Sequence, residues 1–220
     1  GLGFPGETAG IMNDVEDWSG VDIGAVPIGQ GVSLTPLQMA TVYQAIANDG
    51  VRISPTFVKE VSDGQGGWDP APAGTRTQAV SKATANEVSR MLEGVVSEEG
   101  TAPQARIEGY RVAGKTGTAD RYDEKVGGYS GKTASFIGFA PAEDPQLVVS
   151  VIIQRPVKGY YGGLVAGPVF RDVMTAALRT PGTAASADSI SPNSMRCPRN
   201  FTWKSVRPRY SSCPSVFQRT

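Results

Sequence analysis

The feature that most constrains this chain is a polar, glycine-broken stretch at residues 115–119, Lys-Thr-Gly-Thr-Ala, which follows a strand-like segment at residues 110–113. A strand that only filled a core would not place a lysine, two hydroxyls and a bare glycine in succession. Gly117 would let another molecule's backbone approach an edge strand closely. Lys115, Thr116 and Thr118 offer hydrogen-bond donors to a carboxylate or an oxyanion. The stretch therefore predicts a β-strand that forms one wall of a binding or catalytic site.

The composition excludes several kinds of catalytic site. The 220 residues are enough for one domain of usual size, and they include no histidine, which removes a Ser-His-Asp triad and most zinc sites. A nucleophilic enzyme made from this chain must use a lysine for proton transfer, and we expect no metal and no cofactor. Twenty-one basic residues balance 21 acidic ones, so overall charge does not favour nucleic acid as a partner. The sequence also shows no apolar run of membrane-spanning length and no signal peptide.

Local signals predict a helix that begins at Pro36. Thr35 is a suitable N-cap, Pro36 suits the first helical position, and Gln38 completes a capping box. Gly50 is expected to stop the helix. The predicted inward residues are Leu37, Met39, Val42, Tyr43 and Ile46.

Apolar periodicity predicts two more helices. The first covers residues 81–96, with Ala85, Val88, Met91, Leu92 and Val95 inward. The last opens at Pro168, with Val169, Phe170, Val173, Met174, Ala177 and Leu178 facing a sheet.

Strand signals predict an antiparallel sheet. Residues 135–140 and 147–154 are apolar runs of strand length joined by a turn at 141–145, and with the motif strand they form a meander. Residues 120–132 are polar and glycine-rich and predict a hairpin loop over the site. A further strand is predicted at residues 53–61, with turns or exposed loop at 63–67 and 70–74. The predicted class is therefore α+β, an antiparallel sheet flanked by helices.

The last forty residues depart from this pattern. From residue 181 the chain is rich in Ser, Pro and Arg, and both cysteines, Cys197 and Cys213, lie there. We predict a domain at residues 1–180, followed at 181–220 by an irregular tail. The tail is interpreted as a translated frameshift or a non-homologous extension without a fold. A disordered basic arm and a hairpin closed by a disulfide are the alternatives.

The flanking motifs resemble one family of enzymes. Lys-Thr-Gly is a signature of the serine enzymes that bind penicillin. The run at residues 27–50 resembles the transpeptidase domain of class B penicillin-binding proteins, especially the septal, division-associated type of actinobacteria. Further matches lie at residues 4–7 (Phe-Pro-Gly-Glu), 100–102 (Gly-Thr-Ala) and 135–141. The resemblance covers about residues 1–180 and implies a serine β-lactamase/transpeptidase-like fold.

The resemblance also implies roles for the motif residues. Lys115 would contribute positive charge and proton-relay hydrogen bonds beside the serine of the family's Ser-x-Asn motif. The Thr116 and Thr118 hydroxyls would hold the terminal carboxylate of a peptidoglycan stem peptide or of a β-lactam. Gly117 would keep the strand edge open, and the Thr118 backbone N–H would be one of two oxyanion donors.

Other segments are ambiguous at this stage. Gly29, Gln30 and Gly31 would lie near the base of the cleft, although a simple turn before a helix is the alternative. The Tyr-Tyr-Gly-Gly run at residues 160–163 could line the cleft or form a surface turn. Lys125 and Lys132 are interpreted as solvated loop charges.

The nucleophilic serine of the family is missing from this sequence. No Ser-x-x-Lys occurs in a suitable context, and Ser-x-Asn occurs only as Ser191-Pro192-Asn193, in the predicted tail. In the family both motifs precede the part that this chain resembles. We therefore interpret the chain as the carboxyl-terminal half of a transpeptidase domain that is inactive alone.

Three functional hypotheses follow from the resemblance. The first is part of a peptidoglycan D,D-transpeptidase that binds penicillin and acts in septal cell-wall synthesis. The second is a related D,D-carboxypeptidase or β-lactamase, which the run at residues 27–50 disfavours. The third is an inactive remnant or a non-enzymatic fragment. The expected partners are stem peptides, β-lactams and division proteins, with the complete protein at the extracytoplasmic face of the plasma membrane.

Overall fold

The computed structural model describes residue 2 and residues 5–180, so the predicted tail with Cys197 and Cys213 lies outside the described residues. The α-helices within that range are α1 (Asp22–Ala25), α2 (Pro36–Ala47), α3 (Lys82–Gly94), α4 (Gly162–Val165) and α5 (Gly167–Leu178). Short 3-10 turns lie at Val15–Asp17, Val26–Ile28 and Pro103–Ala105. The strands are β1 (Val51–Ile53), β2 (Glu60–Ser62), β3 (Trp68–Pro70), β4 (Arg76–Gln78), β5 (Ala113–Asp123), β6 (Gly128–Ala140) and β7 (Leu147–Gln154).

The main sheet is the predicted antiparallel meander, in the order β5-β6-β7. Lys115 pairs with Ile137, and Phe136 pairs with Thr116 on one side and Val151 on the other. Since directly opposite residues share a face of the sheet, this register places Thr116, Phe136 and Val151 together. β5 is an edge strand among the described residues.

Helix α5 covers that face of the sheet. Phe136 and Phe170 are fully buried, and their ring centroids lie 4.6 Å apart. The core around this pair contains Val96, Ala102, Ala105, Ile107, Val112, Ala140, Val151, Ala166, Met174 and Leu178. α2 packs against β6 and β7, and α3 packs against β5. The result is the predicted α+β arrangement, with the motif strand held in place by a core formed next to it.

The predicted start of α2 is confirmed. The Gln38 amide N–H donates to Thr35 Oγ1 at 3.1 Å, and Gln38 Oε1 accepts from the Thr35 N–H at 2.8 Å. The helix ends at Ala47, and Gly50 takes a φ of 82°. An added Cβ at Gly50 would lie 2.1 Å from the Val80 carbonyl oxygen, so this stop admits only glycine.

Three residues predicted to face inward are exposed: Val42 at 49%, Met91 at 65% and Val169 at 39%. On α2, Gln44 is buried instead, because its amide group bonds the backbone of Val51 and Ile53. Met91 lies about 120° around the helix from the fully buried Ala85, at about 100° per residue. By the same rule Val169 lies about 100° from Phe170, at the rim of the buried face.

One prediction about a strand was wrong. Residues 53–61 do not form one strand, since β1 pairs with β4 and β2 pairs with β3 in separate two-stranded sheets. Pro55 explains the break, because proline lacks an N–H and restricts the residue before it. The predicted turn at residues 63–67 is confirmed, with Asp63 Oδ1 accepting from the Gln65 and Gly67 amides.

The segment 120–132 is a hairpin, as predicted, but most of it is strand. β5 runs to Asp123 and β6 starts at Gly128, with a register shift near Asp120. The ladder is held outside the core by polar and aromatic cross-strand pairs, including Tyr122 against Tyr129 with ring centroids 6.1 Å apart. Polar residues therefore extend the sheet here.

Candidate functional site

The motif stretch lies on the edge strand β5, where its polar side chains can reach a ligand. Lys115 and Thr118 are exposed, and Thr116 and Gly117 are half-buried. The glycine-containing sequence fits this position, because β5 pairs with β6 on one side and has its other edge open among the described residues. The structure thus brings Lys115, Thr116, Gly117 and Thr118 together on one accessible edge.

The hydroxyls of two threonines and the Lys115 ammonium form a small cluster. Lys115 Nζ donates to the Thr116 carbonyl oxygen at 3.3 Å and to Thr116 Oγ1 at 3.4 Å. Thr116 Oγ1 lies 3.1 Å from Thr101 Oγ1. Thr101 belongs to the Gly-Thr-Ala motif, but the sequence assigned it no role. The cluster places a positive charge and hydroxyl donors where an anionic group could be bound.

Gly162 of the same chain packs closely against the Gly117 backbone, whereas a Cβ added at Gly117 itself would meet a side chain, 2.4 Å from Ser135 Oγ. The approach of another molecule's backbone to Gly117 stays a prediction. A Cβ added at Gly162 would lie 2.5 Å from the Gly117 carbonyl oxygen and 2.3 Å from that of Ser135. The Gly162 N–H donates to Thr118 Oγ1 at 3.1 Å. Gly162 and Gly163 are both buried, so the second half of the Tyr-Tyr-Gly-Gly run belongs to the site and is not a surface turn.

Tyr160 and Tyr161 directly precede the two buried glycines in the chain and remain partly exposed. The Tyr160 and Tyr161 rings are 4.5 Å apart, with their hydroxyls at 3.3 Å. The hydrogen bond with Tyr161 raises the pKa of Tyr160. Lys132 Nζ lies 5.8 Å from the centre of the Tyr160 ring.

Lys132 is not the solvated loop charge that the sequence predicted. It lies on β6 and forms an ion pair with Asp120 at 2.6 Å. The hydrogen bond with Asp120 raises the pKa of Lys132, so the ammonium form is retained. Lys125 lies in the turn of the hairpin, as predicted.

Gly29, Gln30 and Gly31 are exposed, and the backbone N–H groups of the first two bond locally. The Gly29 amide donates to Val26 and the Gln30 amide to Ala25, with Gly29 at a φ of 89°. Within the described residues these three therefore form a turn. Their place in the cleft stays a prediction.

Other features do not add a second site. A hollow of about 470 Å³, lined by Phe57, Val58, Lys59, Glu60 and Trp68, lies at the β2–β3 hairpin and includes none of the predicted site residues. Within residues 2 and 5–180, acidic residues do not cluster in threes that could hold a metal ion. In the same range, no helix combines the length and apolar character needed to cross a bilayer.

Solved structures that are similar to this chain include penicillin-binding proteins and their transpeptidase domains. Penicillin binding protein 3 from Mycobacterium tuberculosis, in its apo form, superposes with a TM-score of 0.73 at 37% identity, over 81% of this chain and 42% of that one. The transpeptidase domain of penicillin-binding protein 3 from Burkholderia pseudomallei gives a TM-score of 0.68 at 38% identity, over 88% of this chain and 54% of that one.

The sequence comparison gives the family directly. The model for the penicillin binding protein transpeptidase domain matches residues 1–175, and the chain belongs to that family, as a class B penicillin-binding protein domain. Penicillin-binding protein PbpB from Mycolicibacterium smegmatis is 37% identical over 199 residues, covering 85% of this chain. The chain spans 30% of the length of that relative. The predicted family and fold are confirmed.

Proposed function

We propose that this chain supplies the strand wall of a peptidoglycan D,D-transpeptidase site, which binds stem peptides and penicillins. The observation that carries the proposal is the cluster on β5, in which Lys115, Thr116 and Thr118 present a cation and hydroxyls on an open strand edge. Names of relatives support it. A protein from Neisseria gonorrhoeae that is 36% identical, over 82% of this chain and 29% of its own length, is named a probable peptidoglycan D,D-transpeptidase.

The proposed reaction proceeds in two acyl transfers. A serine hydroxyl attacks the carbonyl of the penultimate D-Ala and loses its proton, and the terminal D-Ala leaves as an amine that takes up a proton. An amine of a neighbouring stem peptide then attacks the acyl-enzyme, forms the new amide and releases the serine. In this scheme the Thr116 and Thr118 hydroxyls hold the substrate carboxylate. Lys115 adds positive charge, and the Thr118 N–H stabilises the oxyanion.

The serine must come from a part of the domain that carries Ser-x-x-Lys. We infer that the complete protein acts at the extracytoplasmic face of the plasma membrane with division proteins. A D,D-carboxypeptidase would use the same wall but pass the acyl group to water. The similarity to proteins named as transpeptidases favours transfer to an amine.

A labelling experiment tests the proposal. The full chain alone, incubated with a fluorescent penicillin, should give no covalent band on a denaturing gel. A chimera joins residues 1–180 of this chain to the part of the M. smegmatis PbpB transpeptidase domain that lies before the matched region. This chimera should become labelled. Excess unlabelled penicillin should remove the band.

Variants of the chimera test the roles of single residues. Lys115→Ala should abolish labelling without unfolding the domain. Thr118→Pro, which deletes the N–H, should slow acylation by about 100- to 1,000-fold, the scale of one lost oxyanion donor, whereas Thr118→Ser should stay close to the parent. A folded Lys115→Ala chimera that still labels would contradict the role of Lys115. Labelling of the isolated chain would show that it carries its own nucleophile.

A further inference from the structure

Gly162 and Gly163 pack against the motif strand and its neighbour more tightly than any residue with a side chain could. A Cβ at Gly162 would meet the carbonyl oxygens of Ser135 at 2.3 Å and Gly117 at 2.5 Å. A Cβ at Gly163 would lie 2.1 Å from the Thr101 carbonyl oxygen. These neighbours are backbone atoms, which cannot rotate away as the end of a side chain can. The glycine pair therefore fits between two segments that both carry hydroxyls of the site.

The first hydroxyl held by this pair is that of Thr118. The Gly162 N–H donates to Thr118 Oγ1 at 3.1 Å. A hydroxyl has one donor hydrogen and two acceptor lone pairs, so accepting from Gly162 occupies one lone pair and turns the hydrogen away from that amide. Thr118 is exposed, and its hydroxyl hydrogen is left to donate to a ligand.

The second hydroxyl is that of Thr116, which the pair reaches through Thr101. Gly163 abuts the Thr101 backbone, and Thr101 Oγ1 lies 3.1 Å from Thr116 Oγ1. On its other side Thr116 Oγ1 is within 3.4 Å of the Lys115 ammonium, which can only donate. The contact with Gly163 thus fixes the position of the Thr101 backbone, and Thr101 in turn positions the Thr116 hydroxyl.

We infer that Gly162 and Gly163 are positioning residues that hold the Thr118 and Thr116 hydroxyls for a ligand carboxylate, an inference that rests on the proposed function. The two glycines do not touch the reacting atoms. Their consequence is selectivity, because hydroxyls held beside an ammonium favour an anionic acceptor over a neutral one. Hydrogen bonds to a charged acceptor are shorter and about twice as strong as neutral ones.

The test uses the full chain with labelled threonine and methionine methyl groups and backbone amides in solution NMR. The probes are N-acetyl-D-alanyl-D-alanine and its carboxyl-terminal amide, which differ only in the charge at the group to be bound. The Thr116 and Thr118 signals should shift with the acid and much less with the amide. Gly162→Ala should weaken binding of the acid by about two- to tenfold, as for one lost hydrogen bond, and should reduce the preference over the amide.

Matched variants separate positioning from a general loss of structure. Gly94→Ala adds a methyl group at the end of α3 where nothing lies within 4 Å, and it should bind both probes like the parent. The Met174 methyl signal, from the buried core, reports whether each variant is folded. Independently of any ligand, Thr118→Val should speed hydrogen exchange of the Gly162 amide, whereas Thr118→Ser should leave it slow.

The outcomes distinguish the inference from the proposed function. A folded Gly162→Ala chain that prefers the acid as strongly as the parent would overturn the inference alone. Equal hydrogen-exchange rates of the Gly162 amide in the parent and in Thr118→Val would also overturn the inference. This comparison is the deciding test when Gly162→Ala does not fold. If the parent shows no preference for the acid while its Gly162 amide stays protected, the proposed function fails and the binding role falls with it.

Discussion

The sheet β5–β7 with α5 and the amino-terminal segment at residues 5–35 use similar apolar residues in opposite ways. In the sheet unit, Phe136, Phe170 and Met174 are fully buried. In the amino-terminal segment, Val21 is 75% exposed and Ile28 is 74% exposed, and Ile11, Met12, Val15 and Ile23 are exposed as well. Within the described residues the segment is held by backbone turns, a bridge between Ile11 and Ser33, and a bond from Gln38 to Ala9. Within the described residues, the named apolar side chains are therefore buried where the sheet and α5 pack face to face, and exposed in the turns of the amino-terminal segment.

The largest expected effect comes from removing a ring in the sheet unit. Phe136→Ala should lower the free energy of unfolding by about 3–5 kcal/mol, because it leaves a cavity against Phe170. Ile23→Ala in the amino-terminal segment is the matched control and should change it by less than about 0.5 kcal/mol. Denaturant unfolding followed by circular dichroism measures both. Similar losses in the two variants would mean that the regions do not differ in packing as described.

Tyr43 offers an intermediate effect at high pH. It lies on α2, which packs against β6 and β7, and burial raises its pKa from 10.0 to about 12. Since the folded state holds the phenol proton more tightly, the stability that this contributes is present below pH 10 and is lost as pH rises from 10 to 12. The difference corresponds to on the order of 2 kcal/mol.

Unfolding free energies between pH 9 and pH 12 test that expectation. Tyr43→Phe should remove the loss of unfolding free energy that Tyr43 causes between pH 10 and pH 12. Tyr129→Phe, at a residue 76% exposed, should leave that loss unchanged. A parent chain whose phenols all titrate near pH 10 in an absorbance titration would show that α2 does not bury Tyr43 against the sheet.

The smallest expected effect lies at the boundary between the two regions. Thr35→Ala removes the side-chain cap of α2 and should cost about 1 kcal/mol, while Thr35→Ser, which keeps the hydroxyl, should cost less. The capping box joins the end of the amino-terminal segment to a helix that packs on the sheet. Thermal unfolding of the three proteins checks the order, and a loss as large as that of Phe136→Ala would mean that the cap supports more than its own helix.

Features decided within a few residues could be predicted from the sequence. The Thr35 cap, the glycine stop at Gly50 and the three-stranded meander depend on local chemistry and alternation, and each is present. The motif strand was also correctly assigned, because its lysine and hydroxyls are unusual in a strand. These signals sufficed for the fold class, and the roles assigned to the motif residues stay predictions.

Features that depend on contacts distant in sequence could not be predicted. The inward position of Gln44 follows from its bonds to β1, and the outward positions of Val42 and Met91 follow from the faces that neighbours happen to cover. The bond from Gly162 to Thr118 joins residues 44 positions apart. The only sequence signal for this hydrogen bond was the pair of glycines after two tyrosines, and two adjacent glycines are equally typical of a surface turn.

The long β5–β6 hairpin makes one end of the motif strand sensitive to dissolved salt. Beyond Ala119, charged side chains join β5 to its neighbours: Asp120 pairs with Lys132 on β6, and Asp123 pairs with Arg155, which follows β7. The Asp120–Lys132 pair is partly exposed, so dissolved salt weakens its attraction, whereas the Asp123 side chain is only 15% exposed and its pair with Arg155 is screened less. The other end of β5 is anchored beside Phe136, whose burial does not depend on charge. Added salt should therefore weaken the charged pairing at the hairpin tip, while the end of β5 beside Phe136 keeps its packing.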